Sequence, residues 1–202
     1  MLRRAVAAQR DVKRFRRHAR KNLPILAKAI REGYDVVVPE PTCSYVLKRD
    51  YNDYAPGADA ELVAANTYDV SEYLMKVHKD ASGGLDTTFT GRVPESITYH
   101  APCHLRAQNI GLRSRDLLKL TGAKVTVVAE CSGIDGTWGL RAEHYDAARD
   151  VASKMKAAIA AAGNEHIAGD CSLANGGIVE ETGRTPLHPI RFIARAYGMP
   201  DT

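Results

Sequence analysis

Four cysteines are the residues of this sequence whose chemistry and positions stand out. Cys43, Cys103, Cys131 and Cys171 are separated by 60, 28 and 40 residues, so no pair forms a CxxC motif. Each follows closely after a short apolar run, in the segments VVVPEPTC, ITYHAPC, VTVVAEC and HIAGDC. Such runs predict buried strands. Because the carboxyl ends of parallel strands share one edge of a sheet, we expect the four thiols to converge there.

Converging thiols could bind a metal. Thiolates are ligands of soft metals and of iron–sulfur clusters, and a thiol at the amino end of a helix ionises more readily. A cysteine that follows a strand can equally be a small buried apolar residue, and this alternative holds for each of the four taken alone. Since all four share the same placement, we favour a common site.

Histidines and glycines surround two of the cysteines. His100 and His104 flank Cys103, and each could be a metal ligand or a hydrogen-bonded structural residue. The segment after Cys131 contains three glycines, at Gly133, Gly136 and Gly139. Glycines allow a close approach of the backbone and leave amides free to donate to sulfur. Trp138 is interpreted either as an apolar cover that limits solvent access to the site or as ordinary core.

Helices and strands alternate along the chain. Residue patterning predicts helices over 2–32, 44–51, 61–79, 113–120, 144–162, 172–181 and 189–197, and strands over 35–39, 97–100, 124–129 and 165–169. Pro24 predicts a kink or a break in the first helix, and Gly33 a cap at its end. This alternation is typical of an α/β fold with a mainly parallel sheet, crossover helices and the cysteines at the C-terminal edge of the strands.

The net charge of +4 is unevenly distributed. The first 21 residues set nine basic side chains against Asp11 alone: Arg3, Arg4, Arg10, Lys13, Arg14, Arg16, Arg17, Arg20 and Lys21. Such a segment can bind nucleic acid, an anionic membrane or an acidic partner, although a solvated helix face is the simpler explanation. Phe15 is its only aromatic residue, which argues against nucleic acid. No membrane-spanning run or secretory signal is recognisable, and no GxGxxG indicates a dinucleotide site.

Several segments resemble a known family. HAPCHLRAQNIG (100–111), ECSGIDGTWG (130–139), DCSLANGGIVEETG (170–183) and HPI (188–190) resemble the cysteine-rich, Cys-Cys-Gly domain of heterodisulfide reductase B-type proteins. The resemblance is strongest to the iron–sulfur electron-transfer subunits of anaerobic glycerol-3-phosphate dehydrogenase (its C-type subunit) and of lactate and glycolate oxidase complexes. PEPTCSYVLKRDY (39–51) resembles the end of a preceding copy of the same module.

The resemblance implies an iron–sulfur cluster, expected to be of the 4Fe-4S type, that is bound by cysteines. Carried over position by position, Cys103, Cys131 and Cys171 match ligand positions of a second module, and Cys43 matches the last cysteine element of a first. The expected division is therefore a remnant of the first module with a basic helical start over 1–60, linker helices over 61–94 and a complete module over 95–202. The missing front of the first module suggests a fragment or a split subunit.

Two positions depart from the family pattern. Glu130 stands where the family has the first cysteine of its Cys-Cys pair, and Ala174 stands where a CxxC would have its second. A cubane cluster normally has four cysteine ligands. The fourth ligand is therefore open between Cys43, His104, Glu130, an exogenous ligand and none. The five-cysteine cluster that cleaves disulfides is not expected.

Three functions follow from these residues. The resemblance implies an electron-transfer subunit that receives electrons from a flavin dehydrogenase subunit, in the cytoplasm and in peripheral contact with the inner face of the membrane. A redox-inactive scaffold with a structural zinc site, or with a lost cluster, is the alternative, because three thiolates and an imidazole suit zinc. A thiol enzyme with Cys103 activated by His100 or His104 is chemically conceivable, but the two histidines are poorly spaced for it.

Overall fold

The computed structural model describes residues 2–80 and 83–200, with side chains from Asp11 onward. Its described elements follow in the order α1 (Leu2–Arg31), β1 (Val36–Val38), α2 (Pro41–Tyr45), a π-helical segment (Val46–Asp50), α3 (Tyr51–Tyr54), α4 (Ala58–Ala65), β2 (Thr67–Asp69), α5 (Val70–His78), β3 (Ser96–His100), α6 (Cys103–Ala107), α7 (Arg113–Leu120), β4 (Lys124–Val128), two 3-10 turns (Trp138–Leu140 and Ala142–His144), α8 (Tyr145–Ala162), β5 (His166–Gly169), α9 (Ser172–Thr182) and α10 (Pro189–Ala196).

The chain divides into two compact units. The first comprises residues 1–38 and 42–69, and the second comprises residues 39–41 and 70–202. Every strand pair is parallel, which confirms the predicted α/β fold with parallel strands. The strands form two sheets, however, and not the single sheet that was expected: β1 pairs with β2, while β4, β3 and β5 form a separate sheet in that order.

The first unit is built on α1. Apolar side chains recur on one face of this helix and pack with α3 and α4 around Leu23, Ala27, Tyr51 and Val63, all of which are buried. The strands β1 and β2 add a short parallel sheet, in which Val36 is paired with Thr67. The strand at 35–39 was expected to be buried, but Val37 is 40% exposed, because its two-stranded sheet is too small to be covered on both faces.

Helix α1 runs uninterrupted from Leu2 to Arg31, with Pro24 inside it. The predicted break into two helices is therefore wrong. A proline removes one backbone hydrogen bond, and the packing of the apolar face against the first unit's core offsets that loss. The predicted cap at Gly33 is confirmed: this glycine has φ +96°, and its amide donates to the Ile30 carbonyl at 2.9 Å.

The basic face of α1 consists of the exposed residues Lys13, Arg16, Arg17, Arg20 and Lys21, which border a shallow surface concavity of about 430 Å³. Of the other four predicted basic residues, Arg14 is also exposed, and the side chains of Arg3, Arg4 and Arg10 lie outside the described part of the chain. One member of the face is fixed to the rest of the unit, because Arg16 donates from Nε to the Tyr54 carbonyl at 2.7 Å. No described helix is both long and apolar enough to cross a membrane.

The second unit has three layers. Strand β3 lies at the centre of its sheet and is buried along four of its five residues. On one face Ile97 and Tyr99 pack with Leu118 of α7 and Phe192 of α10. On the other face, α8 and α9 pack on strands β4 and β5, burying a second apolar cluster of Val128, Ala152, Met155, Ile159, Ile167 and Ile178. Helices on both faces leave the ends of the strands as the open edge of the sheet.

The segment 39–41 is tied to the second unit by three hydrogen bonds. The Pro39 carbonyl lies 2.9 Å from Nε2 of His188, and the Pro41 carbonyl accepts from the Gln108 side chain at 3.0 Å. Oε1 of Glu40 accepts from the Ser172 amide at 2.8 Å, which provides a carboxylate for the amino end of α9.

The observed units differ from the division expected at residues 60 and 94. Helices α4 and α5 were both assigned to a linker, but α4 belongs to the first unit and α5 to the second. Strand β2 lies between them and was not foreseen, because three residues of the sequence TYD carry too little periodicity to indicate a strand.

Candidate metal centre

Three of the four cysteines lie at one edge of the three-stranded sheet. His100, the last residue of β3, pairs with Val128 at the end of β4 and with Gly169 at the end of β5. Cys103 follows the end of β3 by three residues, Cys131 follows the end of β4 by three, and Cys171 follows the end of β5 by two. Neighbouring strands are about 4.8 Å apart. The register therefore brings the three strand ends side by side, and each cysteine follows its strand end by two or three residues.

The thiols of Cys103 and Cys131 are near enough to influence each other's ionisation. Cys131 is half-buried and accepts from the Gly133 amide at 3.4 Å, and Cys103 is exposed, with Nη2 of Arg106 at 3.7 Å from its sulfur. Burial raises the pKa of the Cys131 thiol above its ordinary value, and the neighbouring Cys103 raises that pKa further. The hydrogen bond from the Gly133 amide acts in the opposite direction and lowers it. A metal that neutralised both thiolates would remove this penalty.

Cys171 occupies the most protected of the three positions. It is 5% exposed, caps the amino end of α9 and accepts from the Asn175 amide through its carbonyl at 2.8 Å. Burial thus increases from Cys103 through Cys131 to Cys171. Among the described residues, no group of three or more His, Cys, Asp or Glu side chains is close enough together to hold a metal ion.

The fourth cysteine follows a strand of the other sheet. Cys43 is exposed on the short helix α2 and lies in the first unit, after a strand of the two-stranded sheet. The expectation that all four thiols share one sheet edge is therefore wrong for Cys43. Its segment has the same strand–loop–Cys pattern as the others, and the sequence does not show which strands pair with one another.

His100 is a structural residue of the site. It is 2% exposed, and its Nε2 lies 3.0 Å from the backbone carbonyl of Glu130, so it links the end of β3 to the loop that carries Cys131. Burial lowers the pKa of His100, because the imidazolium would lose its hydration. The neutral ring therefore donates from Nε2 to that carbonyl, and its position does not support activation of Cys103 as a nucleophile.

The other candidate ligands lie beside the edge. His104 is half-buried on α6, directly after Cys103, and Glu130 is exposed directly before Cys131. Ala174, where a CxxC motif would have its second thiol, is buried in α9. The chain therefore presents an exposed carboxylate and a buried methyl group at the two positions where the family pattern has cysteines.

The three glycines after Cys131 have different roles. A Cβ on Gly133 would lie 2.2 Å from the Ala148 carbonyl oxygen, and one on Gly139 would lie 2.2 Å from the carbonyl oxygen of Gly133. These two glycines allow the loop to pack closely on α8, and Gly133 also supplies the amide that donates to Cys131. Gly136 has φ +65° and no atom near its missing side chain, so it serves the turn.

Trp138 is at the surface. It is 39% exposed and stacks on His144, with ring centroids 4.3 Å apart and planes at 10°. The interpretation of Trp138 as an ordinary core residue is therefore wrong.

The sequence analysis did not predict a buried polar network next to Cys171. Asp170, which precedes Cys171, is 1% exposed and accepts from the Tyr99 hydroxyl at 2.6 Å and from the Ser114 hydroxyl at 2.5 Å. Ser114 lies in turn 2.9 Å from the hydroxyl of Ser71. Burial raises the pKa of Asp170 to about 6, although both hydrogen bonds favour the carboxylate. The Asp-Cys dipeptide was visible in the sequence, but only the fold brings Tyr99 and Ser114 to it.

The second unit carries a recognised domain. Residues 97–173 match the family model described as "Cysteine-rich domain", with the short name CCG. This segment is therefore a cysteine-rich domain, and the resemblance inferred from HAPCH and ECSGIDGTWG is confirmed.

Two curated relatives extend the match. The chain is 25% identical over 192 residues to a subunit of the anaerobic glycerol-3-phosphate dehydrogenase of Escherichia coli (strain K12), a match that covers 90% of this chain and 46% of that protein. It is 31% identical over 111 residues to a subunit of the fumarate reductase (CoM/CoB) of Methanothermobacter marburgensis, a match that covers 52% of this chain and 20% of that protein. The chain thus spans about half the length of the first relative, and both relatives are named as oxidoreductase subunits.

Proposed function

We propose that this protein binds an iron–sulfur cluster at the edge formed by β3, β4 and β5, and that it is an electron-transfer subunit of a dehydrogenase or reductase complex. The observation that carries the proposal is the register: Cys103, Cys131 and Cys171 follow the paired ends of three adjacent strands. Three cysteines at one edge of a sheet are best explained by a shared site for a soft metal or a cluster. The matches to subunits of two oxidoreductases support the same function.

The donor set suits three of the four thiolate positions of a cubane. Cys131 and Cys103 would hold the cluster from the half-exposed side, and Cys171 from the buried side. The bound cluster would supply one-electron transfer. The chain's own residues would position and tune it: the Gly133 amide donates to the Cys131 sulfur, and His100 fixes the loop through the Glu130 carbonyl. The fourth position stays open between Cys43, His104, Glu130, a ligand from outside the chain and no ligand at all.

The partners in this proposal are a flavin dehydrogenase subunit and the further subunits of a redox complex. The basic face of α1 is the surface best suited to an acidic partner, because five exposed cations lie along it. The same face could provide a peripheral contact with the inner surface of the cell membrane from the cytoplasm. Nucleic acid is not proposed as a partner, because this face lacks interleaved aromatic residues.

A structural zinc site, or a scaffold without metal, is the second candidate function. It is favoured by Glu130 and Ala174, since these replace two thiols with groups that do not bind iron–sulfur clusters well. Zinc needs only four donors in a tetrahedron, and Cys103, Cys131, Cys171 and His104 would suffice.

The test is anaerobic purification of the full chain, followed by iron, sulfide and zinc analysis and electron paramagnetic resonance of the reduced protein. Iron with sulfide and a cluster signal is the expected result. Serine replacements of Cys103, Cys131 and Cys171, one at a time, should each abolish or alter the signal. A colourless protein with stoichiometric zinc would establish the second candidate instead.

Two further variants address the fourth ligand. Cys43→Ser and His104→Gln are compared under the same conditions, with Ser153→Ala on the exposed side of α8 as the control. A variant that changes the spectrum identifies its residue as a ligand. If both leave the signal unchanged, the fourth ligand is Glu130 or comes from outside the chain.

A further inference from the structure

A cavity in the second unit lies directly beside the cysteine edge. It has a volume of about 320 Å³ and lies between α8, α9 and the loop after Cys131. Ser132 and Ser172 line it, and they are the residues that follow Cys131 and Cys171. The cavity therefore shares its wall with the two segments that carry the more buried thiols. Its volume falls within the range of small-molecule sites.

The wall is mainly apolar and is continued by exposed apolar side chains at its rim. Leu140, Tyr145 and Leu173 line the cavity and are 61%, 42% and 38% exposed. Large apolar side chains that cluster around a concave surface indicate a binding site, whereas single ones do not.

The charged residues of the cavity are already paired with one another. Arg149 contacts Glu180 at 3.2 Å and Glu181 at 3.5 Å, and Glu181 also has Lys156 at 3.9 Å. Tyr145 donates its hydroxyl to Glu180 at 2.5 Å. No isolated charge is left in this group to recognise an ion, so a neutral ligand suits the cavity.

Two residues of the wall bear on what the cavity could hold. Ser132 lines the cavity and is 9% exposed, so a small polar side chain stands in a mainly apolar wall. Gly176 lies in the interior of α9, where glycine weakens a helix, and a Cβ there would meet no atom within 4 Å. Its neighbour Gly177 is explained by the fold, because a Cβ there would lie 2.8 Å from the Ser132 carbonyl oxygen. A side chain at Gly176 would therefore extend into open space at the cavity wall, and Ser132 supplies a hydroxyl to the same wall.

We propose that this cavity binds a small, neutral, mainly apolar molecule with a carbonyl or hydroxyl group that bonds to Ser132. The ligand would lie on the backbone of α9 at Gly176, beside the loops of Cys131 and Cys171. Binding itself requires only the fold of the second unit. An exchange of electrons between such a ligand and a cluster at the sheet edge would rest, in addition, on the proposed function.

The experiment uses 2-naphthol as the probe and the full chain in isothermal titration calorimetry. Saturable binding with a submillimolar dissociation constant is expected. Gly176→Leu should weaken it at least tenfold, because the new side chain fills the cavity. Val179→Leu, on the same helix but outside the cavity wall, is the matched control and should stay within twofold of the natural protein. Circular dichroism verifies that both variants are folded.

The hydroxyl is tested separately. Ser132→Ala should weaken 2-naphthol at least threefold and leave naphthalene unchanged, since naphthalene has no group to bond. No saturable binding up to 2 mM, or equal affinity of Gly176→Leu and the natural protein, would overturn the proposal. Iron content is measured on the same samples, so naphthol binding without iron would count against the proposed function alone.

Discussion

The two sheets carry the same local sequence pattern and differ in what surrounds them. In the first unit, the strand VVV is followed by Cys43, pairs with one other strand, and leaves Val37 40% exposed. In the second unit, β3 has a strand on either side and helices on both faces, and Ile97 is fully buried. Only this second arrangement places three cysteines just beyond the neighbouring ends of paired strands.

The difference shows that a strand followed by a cysteine does not by itself make a site. The ends of β3, β4 and β5 are further held by two buried polar groups: Asp170 with its two hydroxyl donors, and His100 bonded to the Glu130 carbonyl. Buried polar groups of this kind lose stability if a partner is removed, so they hold the loops in one arrangement. The predictions below test whether the two sheets differ as strongly in energy as they do in structure.

The largest effect is expected at the centre of the second sheet. Ile97→Ala should lower the free energy of unfolding by about 4 kcal/mol, because it leaves a cavity between two helical layers. Val37→Ala, in the first sheet, should cost less than about 1 kcal/mol. Urea unfolding is followed by tryptophan emission, which reports on the second unit because Trp138 is the only tryptophan, and by circular dichroism for the whole chain. Equal losses of unfolding free energy in Ile97→Ala and Val37→Ala would contradict the difference between the two sheets.

The polar network should give the next largest effect. Asp170→Ala leaves the buried hydroxyls of Tyr99 and Ser114 without their acceptor, and we expect a loss of about 2 kcal/mol. Asp59→Ala is the matched change in the first unit, where the carboxylate lies 2.5 Å from Arg31 at the surface, and it should cost less than about 1 kcal/mol. The same urea transitions measure both. A loss at Asp59 as large as that at Asp170 would show that burial of the network is energetically unimportant.

His100 should make the second unit sensitive to acid. Its pKa is lowered in the folded protein by burial, so below the ordinary value of 6.5 the unfolded chain binds a proton that the folded chain does not. Stability from this group is complete above pH 7 and falls as the pH drops below 6.5, by up to about 1.4 kcal/mol per pH unit. The difference in unfolding free energy between the natural protein and His100→Gln isolates this contribution between pH 7 and 5. If the difference in unfolding free energy between the two proteins does not change with pH, His100 does not make the fold sensitive to acid.

The smallest expected effect is on the rates at which the four cysteines are alkylated. In metal-free folded protein, iodoacetamide should modify the exposed Cys43 and Cys103 first, then Cys131, and Cys171 last. Cys131 is slower than Cys103 because burial raises its pKa and so reduces the reactive thiolate. Peptide mass spectrometry over time gives the order, and modification in urea, where the four rates should converge, is the control. If Cys171 reacts as fast as Cys103, the burial gradient across the sheet edge is not present in solution.

Much of the fold was accessible from local patterns. The helices at 113–120, 144–162 and 172–181 and the strands at 97–100 and 124–129 were placed to within a residue or two, because each has a clear period and a recognisable stop such as Gly163. Strand β2 and the continuity of α1 through Pro24 were not predicted. Short strands carry little pattern, and packing decides whether a helix tolerates proline.

The candidate site was predictable only in part. The three thiols of the second unit were identified from their position after strands, and the family resemblance rested on the segments around them. The roles of Asp170 and of the cavity at Gly176 could not be foreseen, because each depends on residues that lie far apart in the chain and meet only in the fold.

The amino-acid sequence by itself determined the alternation of strands and helices, the loops that carry the thiols and the likeness to a cysteine-rich domain, because these are written in neighbouring residues. The tertiary structure alone decided which strands are neighbours. Strand pairing depends on contacts between distant segments, and that choice brought Cys103, Cys131 and Cys171 to one edge and left Cys43 on a helix that follows a strand of another sheet.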